Sequence, residues 1–299
     1  MADISAKREQ RVSYLILVLP AVVIYYAVMA FPVLFSCIIS LTNYSGGAVF
    51  GNPAVKYSGL SNYMRIFEDE YFYLALKNNL YIVLVSVFGQ IPLGFTLAYI
   101  LFRKTVRGTA LFQTVLYLPN VISPVVIGIL FKNFYLSADG VFFEILRIFK
   151  PSAEFEISRH PIAPVLLVML WMYTGMYVII FLASMQKIDT KVIEAARIDG
   201  AKEAQILRFI ILPALSGVMA VCAILAVSGS LKSFDLIYAM TGGGPANRTS
   251  VLSLYMYNKA FRGAPNYPLA NAVSTIMIII GFALIGLIKG AERLLGERE

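Results

Sequence analysis

Six uncharged apolar runs punctuate the chain, at residues 14–36, 79–101, 110–131, 162–183, 212–230 and 269–287. Each is 19 to 23 residues long, close to the roughly 20 residues a helix needs to cross a bilayer. The pattern predicts an all-α integral membrane protein with six transmembrane helices, which places both termini on one side. Basic residues choose the side. Residues 1–12, 102–109, 185–211 and the segment from 288 onward hold 14 Lys and Arg in short stretches, whereas the opposite loops hold 11 in nearly twice the length. By the positive-inside bias the termini and the 185–211 loop are cytoplasmic. The chain then divides into a cytoplasmic N-terminus (1–12), a transmembrane domain (13–289) with a cytoplasmic loop at 185–211, and a cytoplasmic tail (290–299).

Composition agrees with this pattern. Of 299 residues, 59% are hydrophobic and only 14% are charged, where a soluble domain carries about 25%. The net charge of +8 does not point to nucleic acid, because the basic residues are dispersed between apolar spans. The N-terminal Lys7, Arg8 and Arg11 precede an apolar run, 12–39, that is too long for a signal-peptide core, so a retained first span is expected. Cys37 and Cys222 stand apart with no CxxC spacing, and His160 is the only histidine. Neither a His-based metal site nor a catalytic triad can be built within the chain. Pro20, Pro32, Pro92, Pro119 and Pro124 interrupt the spans and predict kinks with freed carbonyls.

The loop at 185–211 is a charged island carrying five basic and four acidic side chains, each of which costs roughly 2.5–3.5 kcal/mol in lipid. Its pattern reads as two short helices around Gly200. Asp189 or Thr190 caps the first, Glu194 lies near its N-terminal end, and Gly200 takes the left-handed conformation that ends it. Ala195, Ala196 and Ala201 keep the surface beside that turn small, so another protein can approach the backbone. Ala204, Leu207 and Ile211, with Ile206 and Ile210, form an apolar stripe on the second helix. Spacing alone is equally compatible with an ordinary amphipathic loop.

Glu194-Ala195-Ala196, Asp199-Gly200-Ala201, Ile210 and Leu212-Pro213, at these distances, resemble the EAA loop of ABC importer permeases of the binding-protein-dependent sugar type. In that family the loop docks into a cleft of the ATP-binding subunit. Ala204 and Leu207 depart from it, standing where family members often have aromatics. A second stretch is similar to the family's outer-loop signature: Phe234, Asp235, Tyr238, Thr241, Gly243, Gly244, Pro245 and Thr249, then Leu252, Tyr255, Tyr257, Ala260 and Phe261. Gly242-Gly243-Gly244-Pro245 cannot continue a helix and must turn, with aromatics placed to wedge the turn against the spans. It is no phosphate loop, since no Lys-Ser/Thr follows at the required distance. Leu118-Pro119-Asn120 with Ser123-Pro124, and the 57–70 segment, also match the family. The resemblance implies a core like that of ABC type I importer permeases.

The outer loops say less. Asp139-Gly140 reads as a turn and 142–149 as a short amphipathic helix. Lys232 and Asp235, three apart at the outer end of the fifth span, are spaced to pair on one helix face. Asn78, Asn79, Gln90, Asn120, Ser123, Ser228 and Ser230 can line a polar path for a hydroxylated substrate, with Trp171, Tyr173 or Tyr177 as an aromatic platform. Each is equally a helix-to-helix contact.

The resemblance implies a permease subunit of an ATP-driven carbohydrate importer in the bacterial or archaeal cytoplasmic (inner) membrane. Its partners would be a homologous second permease, two ATP-binding subunits, an extracytoplasmic sugar-binding protein and membrane lipid. ATP and magnesium would be held by the partners, with no cofactor in this chain. Relatives with these motifs carry mono-, di- and oligosaccharides, sugar acids and glycerol phosphate derivatives, so the motifs name no individual sugar. An ion-coupled sugar carrier is the alternative, but it would place carboxylates within its spans, and all six lack Asp and Glu. A membrane enzyme would need a nucleophile, base or metal cluster, and none is present.

Overall fold

The computed structural model describes residues 2–48, 51–103, 108–135 and 161–296. The turn at Asp139-Gly140, the helix expected at 142–149 and His160 fall outside them. In chain order the helices are α1 (Ala2–Tyr25), α2 (Phe31–Ile39), α3 (Ser61–Glu68), α4 (Glu70–Val85), α5 (Ile91–Phe102), α6 (Thr109–Val121) and α7 (Pro124–Tyr135). They continue with α8 (Ile162–Met185), α9 (Thr190–Ile198), α10 (Glu203–Ile206), α11 (Leu212–Ala214), α12 (Ser216–Leu231), α13 (Asp235–Met240), α14 (Leu252–Phe261) and α15 (Tyr267–Gly296). Among the described residues the only β pairing is an isolated bridge, Thr42 with Tyr57.

Among the described residues four helical stretches are long and apolar enough to cross a membrane: Tyr14–Ile39, Glu70–Phe102, Ile162–Met185 and Tyr267–Arg293. Two more exist only as bent pairs. Thr109–Val121 and Pro124–Tyr135 meet at 90°, and Glu203–Ala214 and Ser216–Leu231 at 66°. Counting each bent pair as one crossing gives six. The third and fifth apolar runs are therefore broken; the kink expected at Pro124 coincides with the first break, Pro119 stays inside α6, and the bend in the fifth run answers to none of the prolines expected to kink a span. In the third, Ile122 is extended and Pro124 opens a new helix. Proline disfavours helical geometry in the residue before it and is suited to a first turn. The second span begins earlier than its apolar run, because Asp69 caps α4 through its carboxylate and the Tyr71 N–H.

Elsewhere proline widens a helix instead of breaking it. Tyr26–Ala30, Ser86–Gln90 and Leu207–Ile211 are π-helical turns that end two residues before Pro32, Pro92 and Pro213. In each, the residue just before the proline donates its N–H five residues back: Phe31 to Tyr26, Ile91 to Ser86, Leu212 to Leu207. Proline has no N–H and its ring collides with the carbonyl four residues back. One extra residue in the turn moves that carbonyl aside. Tyr14–Ile39 and Glu70–Phe102 each run through their proline as one helical stretch.

The chain forms two compact units, Met1–Glu68 with Met256–Ile276, and Asp69–Tyr255 with Met277–Glu299. In the first, Ser36 donates to Asn271 Oδ1 at 2.6 Å, and the Asn62 amide donates to the Ser40 and Thr42 carbonyls at 2.8 and 2.9 Å. In the second, α8 is the axis. It is apolar on every side, on the faces packed inside the unit and on those left exposed, as a membrane span is, and packs on α5 and α6. A Cβ on Gly175 would overlap the backbone of Leu116 and Tyr117, so α6 and α8 cross at van der Waals distance there. Val178, Phe181, Leu182 and Met185 then form a buried cluster with Ala98 and Leu101 of α5.

Candidate functional site

That cluster also carries the charged loop. Asp189 caps α9 by accepting from the Lys191 N–H at 3.0 Å. The helix ends in a Schellman motif, with Ala201 N–H bonded to Ala196 C=O at 2.9 Å and Gly200 N–H to Arg197 C=O at 3.1 Å. Gly200 is left-handed (φ 83°), the conformation its lack of a Cβ allows. Ile193, Ile206 and Ile211 are buried in the cluster, while Ala196, Ala201, Leu207 and Ile210 pack against it. The opposite face is bare: Glu194, Ala195, Asp199 and Gly200 are exposed, and Ile198 is 86% exposed. Leu212 and Pro213 follow the π turn and lead to the bend at Leu215. Loop residues therefore divide into anchors and a presented surface of small and acidic residues around an exposed isoleucine. The sequence reading missed Ile198, whose extreme exposure is set by which face the anchors turn inward.

The glycine-rich turn is built differently. Helix α13 packs on α7, where Gly128 lies against Leu236 and Ala239. Phe234 and Tyr238 stack at 5.1 Å. The turn then folds on two threonines: Thr249 Oγ1 donates to Thr241 Oγ1 (2.7 Å) and the Gly244 carbonyl (2.9 Å), and the Thr249 N–H bonds to Gly243 C=O (3.1 Å). Gly243 is left-handed and Gly244-Pro245 is cis. Two buried asparagines of α4 hold the turn from below. Asn78 Nδ2 donates to the Arg248 and Ser250 carbonyls at 2.9 and 2.8 Å. Asn79 Nδ2 donates to Ser230 C=O at 2.8 Å, and its Oδ1 accepts from Leu252 N–H at 2.7 Å.

Between these features lies a cavity of about 270 Å³. Of the residues expected along a polar path, Gln90, Asn120, Tyr173, Tyr177 and Ser230 line it, with Phe234 and Asp235. Asn78, Asn79, Ser123, Trp171 and Ser228 do not. Asn79 is 1% exposed with its amide committed to backbone. Trp171 is half-exposed and packs edge-on against Phe131, and Ser123 sits in the exposed break between α6 and α7. Ser86 and Ser233 also line the cavity and were missed. Ser86 lies one helical turn from Gln90, and that spacing was the available signal, whereas Ser233 lies beyond the end of α12 and is placed by its hydroxyl bond to the Ser230 carbonyl. Gln90 is held by its amide N–H to the Met169 carbonyl (2.9 Å), and Ser230 Oγ donates to Ser86 Oγ (3.2 Å). Lys232 and Asp235 both line the cavity, but α12 ends at Leu231 and Asp235 opens α13, so they do not share a helix face. Polar donors and acceptors beside two tyrosines suit a hydroxylated solute better than a hydrocarbon. Among the described residues no cluster of three His, Cys, Asp or Glu could hold a metal ion.

Residues 90–295 match the model of the family described as binding-protein-dependent transport system inner membrane component. The chain belongs to this family. It is 34% identical over 282 residues to the lactose transport system permease protein LacF of Rhizobium radiobacter, covering 92% of each chain. It is 32% identical to the multiple sugar-binding transport system permease protein MsmF of Streptococcus mutans, covering 88% of this chain and 89% of the relative. The trehalose/maltose transport system permease protein MalF of Thermococcus litoralis is 28% identical, over 96% of both. In fold it is similar to a chain of a bacterial ABC transporter that imports the acidic polysaccharide alginate, with a TM-score of 0.77, 22% identity, and 98% and 99% of the two chains covered. The protein is thus an all-α, multi-pass membrane permease with the type I importer fold, and its resemblance to the sugar-type ABC permeases is borne out.

Proposed function

We propose that this permease is one subunit of an ATP-driven carbohydrate importer in the inner membrane of a bacterium or archaeon, with both termini and the 185–211 loop in the cytoplasm. A homologous second permease supplies the other half of the pathway. Two ATP-binding subunits dock from the cytoplasm, and an extracytoplasmic sugar-binding protein delivers the solute. The observation that carries this reading is helix α9: a short helix whose inner side is fixed to the core that lines the cavity, and whose outer side is bare. Glu194, Ala195, Asp199 and Gly200 form the docking face, Ala196 and Ala201 back it against the core, and Ile210, Leu212 and Pro213 join it to the bend at Leu215. ATP hydrolysis belongs to the docked subunits. Their closure moves α9, and the spans reorient to open the cavity to the other side. Gln90, Asn120, Tyr177 and Ser230 contact the solute on its way, and the glycine-rich turn faces the binding protein.

Co-purification and reconstitution test the reading. An ATP-binding subunit should co-purify, uptake of labelled lactose or maltose into proteoliposomes should require ATP and a binding protein, and a cysteine at Ala196 should react with an impermeant thiol reagent only from the cytoplasmic side. ATP-independent uptake by the lone chain, or labelling of Ala196 from outside, would overturn it.

A further inference from the structure

Glu203, the first residue of α10, belongs to neither family signature, yet its carboxylate gathers three side chains from two other elements. Its Oε1 lies 3.2 Å from Arg197 Nη2, in the last turn of α9, and 3.3 Å from Arg103 Nη2, at the end of α5. Its Oε2 accepts from the Tyr99 hydroxyl of α5 at 3.3 Å. The Arg103 guanidinium also lies over the Tyr99 ring, 5.8 Å from its centre. The Glu203 backbone is fixed in turn, because Gln205 Oε1 accepts from the Lys202 N–H at 2.7 Å and starts α10. One carboxylate thus joins both limbs of the loop to the second span.

This arrangement adds little to stability. The three charged side chains are 34%, 39% and 50% exposed, and ion pairs in water at that exposure are weak. Ile193, Ile206 and Ile211 already anchor the loop by burial. The cluster instead gives direction. Helix α5 leads from Tyr99 and Arg103 to Gln90 and Ser86, which line the cavity. A Cβ on Gly94 would lie 2.6 Å from Tyr177 Cβ, so α5 and the cavity face of α8 are in close contact. The π turn Ser86–Gln90 before Pro92 is the one place along this helix where the hydrogen-bond ladder is already loosened, and it coincides with the cavity.

We infer that Glu203 is a positioning residue for coupling: through Arg103 and Tyr99 it ties the docking helix to α5, so that displacement of α9 is delivered to Gln90 and Ser86 at the cavity. The inference rests on the proposed ATP-driven reading and adds the route by which work reaches the solute. Such couplings require a demonstrated response at both ends.

The test uses the assembled complex with its ATP-binding subunits, with Cys37 and Cys222 replaced by Ser and a single reporter, Ser233→Cys, at the cavity. The rate of reaction of this cysteine with a maleimide is compared without nucleotide and after trapping with ATP and vanadate. In the parent complex the two rates should differ by about fivefold or more, the low end of allosteric couplings. Glu203→Gln and Arg103→Gln should each shrink the difference to about twofold or less while vanadate trapping persists, Tyr99→Phe should shrink it less, and the Glu203→Gln/Arg103→Gln double variant should fall no further than the worse single, as members of one unit do. Undiminished differences in the single variants, or losses that multiply in the double, would overturn the inference and leave the ATP-driven reading standing. Failure of Glu203→Gln to co-purify with the ATP-binding subunits, with Arg103→Gln and Tyr99→Phe normal, would also overturn it by making Glu203 a docking contact. A parent complex with no response to vanadate would overturn both.

Discussion

The charged loop at 185–211 and the glycine-rich turn after Phe234 both carry family signatures, and they are held in place by opposite means. The turn is locked by buried neutral hydrogen bonds: Asn78 and Asn79 are 3% and 1% exposed, and Thr249 is fully buried. The loop keeps only apolar side chains inside and makes its polar contacts at the surface. Buried amide contacts are costly to break and fix one geometry, whereas exposed ion pairs can be exchanged at little cost. The two regions therefore suit different tasks, a rigid end and a movable handle.

The sharpest way to break this contrast is Asn79→Leu, which leaves the Leu252 N–H without its partner and takes one donor from the Ser230 carbonyl, which keeps the Ser233 hydroxyl at 2.9 Å. At about 1–3 kcal/mol for one orphaned buried group, it should destabilise by about that amount, seen as a clear fall in the thermal unfolding midpoint of the purified complex. A shift no larger than that of an exposed substitution would mean that the turn is not locked through α4.

Alkaline pH probes the same region. The Tyr255 hydroxyl donates to Asp69 Oδ2 at 2.7 Å, and burial, followed by that bond and the Asp69 charge, pushes the phenol above its ordinary value of 10. The folded state holds this proton where the unfolded chain releases it. The stabilisation is complete below pH 10 and is lost as pH rises, by at most about 1.4 kcal/mol per pH unit. Denaturant titrations at pH 9 and 10.5 should show this slope reduced in Tyr255→Phe; an unchanged slope would reject it.

On the other side, Gly200→Val meets no steric neighbour but must hold a left-handed backbone, at about 1–2 kcal/mol. Its larger consequence should be loss of the ATP-binding subunits on co-purification, and full retention with normal uptake would remove α9 from the dock. Smallest of all, Glu203→Gln should change unfolding stability by less than about 1 kcal/mol. A cost approaching that of Asn79→Leu would erase the distinction between the lock and the handle.

Hydrophobic patterning along the chain determined the number and approximate place of the apolar segments, the helical class and the charged loop, because lipid tolerates neither charge nor unpaired backbone. Local chemistry determined the cap at Asp189 and the left-handed Gly200, both of which depend only on neighbours within one turn. What each polar residue does was decided in three dimensions. Asn79 and Gln90 look alike in the sequence, but one binds the backbone under a turn and the other lines a cavity. Pro92 and Pro124 look alike too, yet one widens a continuous helix and the other opens a new helix after a 90° bend. Glu203 was one acidic residue among four in its loop until folding brought α5 alongside it. Partners separated by a hundred residues leave no periodic trace in a single chain, since periodicity reports which face a residue occupies and packing alone reports what that face meets.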